Sequence, residues 1–118
     1  MKLILANNQS DKFVSFYNDL KKQTEIPFDY SGYNDLLFVF DSFSDVPIRV
    51  LNVATGRSLD EYDGVYINGY LDSYEIAAAV SICCDALGIG YKNKEMQNPP
   101  SLSKLSMYAK LVANGVTL

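Results

Sequence analysis

Val65-Tyr66-Ile67, entered from Asp63-Gly64 and closed by Asn68-Gly69, is followed by Asp72-Ser73 and then by Tyr74 to Leu87, and this stretch decides the fold. A short apolar run between turn residues reads as a strand. Ile76, Val80, Cys83 and Leu87 then recur at helical spacing, and Ala77, Ala78 and Ala79 make much of the remaining surface apolar. A helix with so little polar face is largely buried. Asp72 or Ser73 supplies its cap, with Glu75 three residues after Asp72. Gly88 is the left-handed stop, and Ile89-Gly90-Tyr91 reads as a short last strand.

Upstream, Leu3-Ile4-Leu5-Ala6 is a continuous apolar run, as in a strand covered on both faces of a parallel sheet. Ser10 caps the next helix, where Phe13, Phe16, Tyr17 and Leu20 share a stripe and Lys21-Lys22 sit at the carboxyl end. The middle is β-rich. Leu36 to Phe40 reads as a second buried strand, Ile48 to Val53 as a third, and Ala54-Thr55-Gly56-Arg57 as a turn. Downstream, Pro99-Pro100 stops the chain and Ser101 caps a final helix with Leu102, Leu105, Ala109 and Val112 on one face, ending at Gly115. The order predicts one α/β domain over residues 1–118: an open, mainly parallel sheet with helices on both faces and a β-hairpin or meander insertion.

The 118 residues are 48% hydrophobic, enough for a core, and carry a formal charge of −4. That charge argues against a general nucleic-acid partner. It is uneven: Glu25 to Asp85 holds eleven acids against Arg49 and Arg57, whereas from Tyr91 onward Lys92, Lys94, Lys104 and Lys110 face only Glu95. The tail is therefore where an anion would go if one binds; the alternative is a chance cluster of surface lysines. The chain has no histidine, which excludes His-based catalysis and His metal sites. Cys83 and Cys84 are adjacent, about 100° apart on a helix, and read as small buried residues of a reducing compartment. No apolar run reaches membrane-spanning length, and the expected location is the cytoplasm. The spacing of Asp41, Asp45, Asp60, Glu61 and Asp63 matches no calcium loop, so they read as solvated turns and no metal site is expected.

The carboxyl edge of an open α/β sheet is where ligands bind. Asn7-Asn8-Gln9 follows the first strand, and Asn68-Gly69 lies at the same edge if the strands are parallel. Lys104 shares a helical stripe with Tyr108 and Leu111, next to the apolar stripe. It either lays its stem along that surface with its head in water or presents an ammonium to a phosphate.

Tyr62-Asp63-Gly64-Val65-Tyr66-Ile67-Asn68-Gly69 resembles the Asp-x-Val-hydrophobic-x-Arg strand of RimK-like and peptide-modifying ATP-grasp ligases, with Asn68 where many have arginine. The helix from Tyr74, the strand ending at Tyr91, the loop with Asn93 and Pro99-Pro100, and the helix from Leu102 follow in that family's order. Ser103-Lys104 stands at the place of its Asp-Lys pair, and the tail through Gly115-Val116 looks like its exit toward the ATP-binding body. The resemblance covers roughly residues 62–118. It implies the N-terminal, pre-ATP-grasp domain of an ATP-dependent carboxylate–amine ligase, inactive alone. Lys104 would reach nucleotide phosphate, and Asn7, Asn8, Asn68, Gly69 and Asn93 would line a substrate cleft. ATP and Mg2+ would be held by the full enzyme, with a C-terminal ATP-grasp domain and a small-molecule or peptide carboxylate as partners. Two rivals remain: a stand-alone flavodoxin- or receiver-like module, and a small protein that docks partners through its last helix.

Overall fold

The computed structural model describes residues 1–6, 11–68, 73–92 and 104–117. Among them, β1 (Lys2–Ala6), β2 (Phe28–Gly32), β6 (Gly64–Ile67) and β7 (Tyr91–Lys92) form a parallel sheet in the order β2-β1-β6-β7. A second, antiparallel sheet joins β3 (Leu36–Phe40), β4 (Ile48–Asn52) and β5 (Arg57–Ser58) in sequence order. The helices are α1 (Asp11–Gln23), α2 (Tyr74–Leu87) and α3 (Lys104–Ala113). The chain is thus mixed α/β, with the strands at Leu3 and Val65 inside the parallel sheet and paired with each other.

Register assigns the faces. Leu3 pairs with Asp29 and Val65, and Ile4 with Tyr30 and Tyr66. Alternation then puts Ile4, Tyr30 and Tyr66 on one face and Leu3, Leu5, Val65 and Ile67 on the other. The first face receives α1: the Tyr17 ring stacks on Tyr30 at 5.1 Å, and the Tyr30 hydroxyl donates to Asn18 Oδ1 at 2.6 Å. Lys21 Nζ lies 5.7 Å from the Phe28 ring centroid and 5.8 Å from that of Tyr30. Phe16, expected on the inner stripe of α1, is exposed, whereas its neighbour Tyr17 is buried.

The second face carries the main core. Leu3, Leu5, Val65, Ile67 and Tyr91 cluster with Ala77, Val80, Cys83 and Cys84 of α2, with Ile48 and Val50 of β4, and with Ala109 and Val112 of α3. Every residue of α2 from Ala77 to Cys84 is buried. The buried surface is therefore wider than the stripe Ile76, Val80, Cys83, Leu87, whose two ends are only half-buried. Small residues let sheet, insertion and α3 all approach this one helix. The helix ends as expected: Gly88 has φ +73°, and Ile89 N–H donates to Cys84 O at 2.8 Å. Gly115, at φ +80°, ends α3 in the same manner, with Val116 N–H donating to Leu111 O at 2.9 Å. Ser73 stands at the cap position of α2 without a side-chain cap bond, and Asp72 lies outside the described residues.

Two readings of the middle change. Phe28 to Gly32, which no apolar run announces, is the parallel neighbour of β1. Leu36 to Phe40 is not a buried strand of that sheet; it is half-exposed and begins the antiparallel insertion. Its apolar run reflects two half-covered faces.

Candidate functional site

The chain leaves β1 toward β2 on one side and later returns as β6 on the other. The carboxyl ends of β1 and β6 therefore flank a point where the connection changes direction, the usual place for a ligand in an open α/β sheet. Asn68 lies there as predicted. Its N–H donates to Leu5 O at 2.9 Å, and its carbonyl oxygen accepts the Tyr33 hydroxyl at 2.6 Å. Asn7, Asn8, Gly69 and Asn93 lie outside the described residues. Lys104 opens α3, and its side chain is likewise outside the description. Tyr108 and Leu111, its companions on the stripe, are exposed, whereas Ala109 and Val112 are buried.

Tyr33 was not legible as a site residue. It follows β2 directly, in a single 3-10 turn, and is buried almost completely. Its hydroxyl reaches the chain ends of β1 and β6 together, 3.5 Å from Leu5 O and 2.6 Å from Asn68 O. The floor of the switch point is thus a tyrosine clamp on two strand ends.

A second polar constellation joins β2 to the insertion. Asn52 is buried at the end of β4; its Nδ2 donates to Ser31 Oγ at 2.7 Å, and its Oδ1 accepts the N–H groups of Ala54 at 3.0 Å and Thr55 at 3.2 Å. Tyr62 donates to Asp29 Oδ2 at 2.6 Å and lies 3.1 Å from Thr55 Oγ1. Arg57 Nε stands 3.3 Å from the same carboxylate oxygen. Burial, reinforced by the Asp29 carboxylate, pushes the Tyr62 phenol up to about 12. These residues satisfy one another, so they act as a suture that fixes the insertion to the sheet.

A third feature lies at the opposite, amino end of the strands. A groove of about 330 Å³ is lined by Lys2, Asp63, Tyr66, Tyr91 and Lys92, among others. Lys2 Nζ sits 2.9 Å from Asp63 Oδ1, and the amino terminus 3.4 Å from Oδ2. The hydrogen bond from Lys2 holds the Asp63 carboxyl below its ordinary range. Gly64 makes room for this pair, since a Cβ there would lie 3.0 Å from Lys2 Cδ. Among the described residues no group of three or more cysteines or carboxylates gathers as a metal site. Asp41 and Asp63 instead bond within their own neighbourhoods, to Phe43 N–H and to Lys2. No described helix is long and apolar enough to cross a membrane. The chain matches no family model, and no curated protein or solved structure is significantly similar to it.

Proposed function

We propose that this chain is the Rossmann-like, pre-ATP-grasp domain of an ATP-dependent carboxylate–amine ligase and forms one wall of its substrate cleft. The observation that carries the reading is the strand order β2-β1-β6-β7 with the strand bearing Asn68 beside β1. This order supports the reading because the strand with the family-like sequence runs beside β1 and ends with Asn68 at the carboxyl edge of the parallel sheet, where ligands commonly bind in open α/β folds. The helix that begins at Lys104 packs on α2, the helix that follows that strand.

In this reading Asn68 and its neighbours border the carboxylate substrate, and Lys104 lends an ammonium to a nucleotide phosphate. ATP and Mg2+ are held mainly by a C-terminal ATP-grasp domain, where the carboxylate is activated by phosphoryl transfer before an amine takes it. In this reading the contacts to adenine and to most phosphate oxygens come from that second domain, so the isolated chain binds ATP weakly and does not hydrolyse it.

Isothermal calorimetry with ATP and Mg2+ on residues 1–118 tests this division of labour. Little or no heat is expected. Micromolar affinity in the isolated chain would place the nucleotide site here and overturn the proposal.

A further inference from the structure

Among the described residues, no strand pairs with the outer edge of β3. Two bonds bracket its ladder with β4: Val53 N–H to Asp35 O and Asp41 N–H to Pro47 O, each 2.9 Å. With Leu37 opposite Leu51 and Val39 opposite Arg49, these bonds set the phase. The backbones of residues 37 and 39 turn toward β4, and those of 36, 38 and 40 turn outward. Leu36 N–H donates to Tyr33 O. The N–H and C=O groups of Phe38 and Phe40 meet no partner among the described residues. Beside this edge the outer face of the same sheet exposes Leu37 (51%) and Val53 (68%), with the exposed Arg49 on the same face of β4.

Edge strands are ordinarily protected by a lysine, a proline, a bulge or a covering element. Leu36 to Phe40 contains no charge and no proline, and its pairing with β4 is continuous. The strand is bounded by acids instead, Asp35 at one end and Asp41 at the other. A second copy fits poorly: two-fold pairing centred on Phe38 sets Asp35 of each chain opposite Asp41 of the other, and like charges directly opposite are unfavourable. Each chain also carries −4.

We propose that β3 is a docking edge for an extended segment of another polypeptide, apolar at its centre, with Lys or Arg at both ends, added antiparallel to β3. Backbone bonds to Phe38 and Phe40 supply the affinity and the acids fix the register. This inference stands independently of the nucleotide reading.

A fluorescein-labelled peptide, Lys-Val-Thr-Val-Thr-Val-Lys, tests it by anisotropy, because its lysines are spaced as Asp35 and Asp41 are. Saturable binding is expected. N-methylation of its three valines, whose N–H groups would face β3, should abolish binding, while N-methylation of its two threonines should not. Glutamates at both ends should weaken binding by at least about threefold, the scale of exposed ion pairs. Asp41→Asn, which keeps an acceptor for Phe43 N–H, should narrow that difference. The proposal is overturned if the Lys-ended peptide does not bind or if the valine-methylated peptide binds equally well. It also fails if the Glu-ended peptide matches the parent, or if light scattering shows a dimer that Phe38→Pro dissolves, which would assign the edge to a second copy.

Discussion

The hydroxyl of Tyr33 and the carbonyl oxygen of Asn68 lie 2.6 Å apart, which ties the turn after β2 to the end of β6 across the intervening strand β1. Three strand ends at the candidate ligand edge are thereby held by one side chain. The geometry of that edge depends on a phenol that touches no ligand in the proposed scheme.

Tyr33→Phe should keep the ring packed and remove only the hydroxyl. A buried hydrogen bond lost in this way costs about 1–2 kcal/mol. Urea unfolding measures the loss, and hydrogen exchange should show it concentrated at Ile67 and Asn68. Unchanged stability and unchanged exchange would show that the hydroxyl does not hold the strand ends.

Asn52 makes three hydrogen bonds from a buried position, to Ser31, Ala54 and Thr55. Asn52→Ala should therefore cost about 2–4 kcal/mol, more than Ser31→Ala, which removes one partner only. In a double-mutant cycle the two changes should couple. Strict additivity would mean that the suture between β2 and the insertion carries no shared energy.

Alkaline pH should unfold the chain early. Burial pushes the thiols of Cys83 and Cys84 up to about 12. The folded state thus holds these protons where the unfolded chain releases them, from an ordinary thiol value near about 9 upward. The two groups cost nothing well below that value, and stability falls as pH rises toward about 12. Between pH of about 8 and about 10 the pair should account for a loss of about 3 kcal/mol. Tyr62 and Tyr91, raised chiefly by burial to about 12, steepen the fall above about 10. Denaturant melts across this range check the slope. Cys84→Ala should flatten it by one proton's worth, whatever its effect on absolute stability.

In a protein that joins this chain to an ATP-grasp body, Lys104→Ala should raise KM for ATP and lower kcat with little change in Tm. One charge-assisted contact is worth about 1.5–3 kcal/mol, or roughly tenfold to a hundredfold in kcat/KM. Lys110, six residues later on the same helix, is the control. If both alanine variants behave alike, Lys104 has no role at phosphate.

The sequence announced those elements whose environment is uniform. Leu3 to Ala6 and Val65 to Ile67 face one continuous apolar core built from α2, β4 and α3, and both read as strands from their apolar runs. Gly88 and Gly115 marked helix ends because only a left-handed residue closes them cheaply. Phe28 to Gly32 hid for the opposite reason. One of its faces offers Phe28 and Tyr30 to α1, while the other offers Asp29 and Ser31 to polar partners in the insertion. Such a strand has β alternation but no apolar run. Leu36 to Phe40 misled in turn, because hydrophobicity does not distinguish a strand inside a sheet from one at its open edge. At the candidate site, Asn68 was legible from its place after a strand. Tyr33 was not, since its role depends on two chain ends far from it in sequence.

The pairing of β1 with β6 also has a consequence for biogenesis. Lys2 lies opposite Gly64, so β1 must wait for the entire insertion to be synthesised before its second neighbour exists. The insertion is local and closes through a short hairpin between β3 and β4, so it can order first. Until β6 and then α2 arrive, Leu3 and Leu5 lack both their second strand and the helix that covers them. The slow step of folding should therefore be the capture of this waiting strand, and the nascent chain is most in need of a chaperone before α2 has emerged.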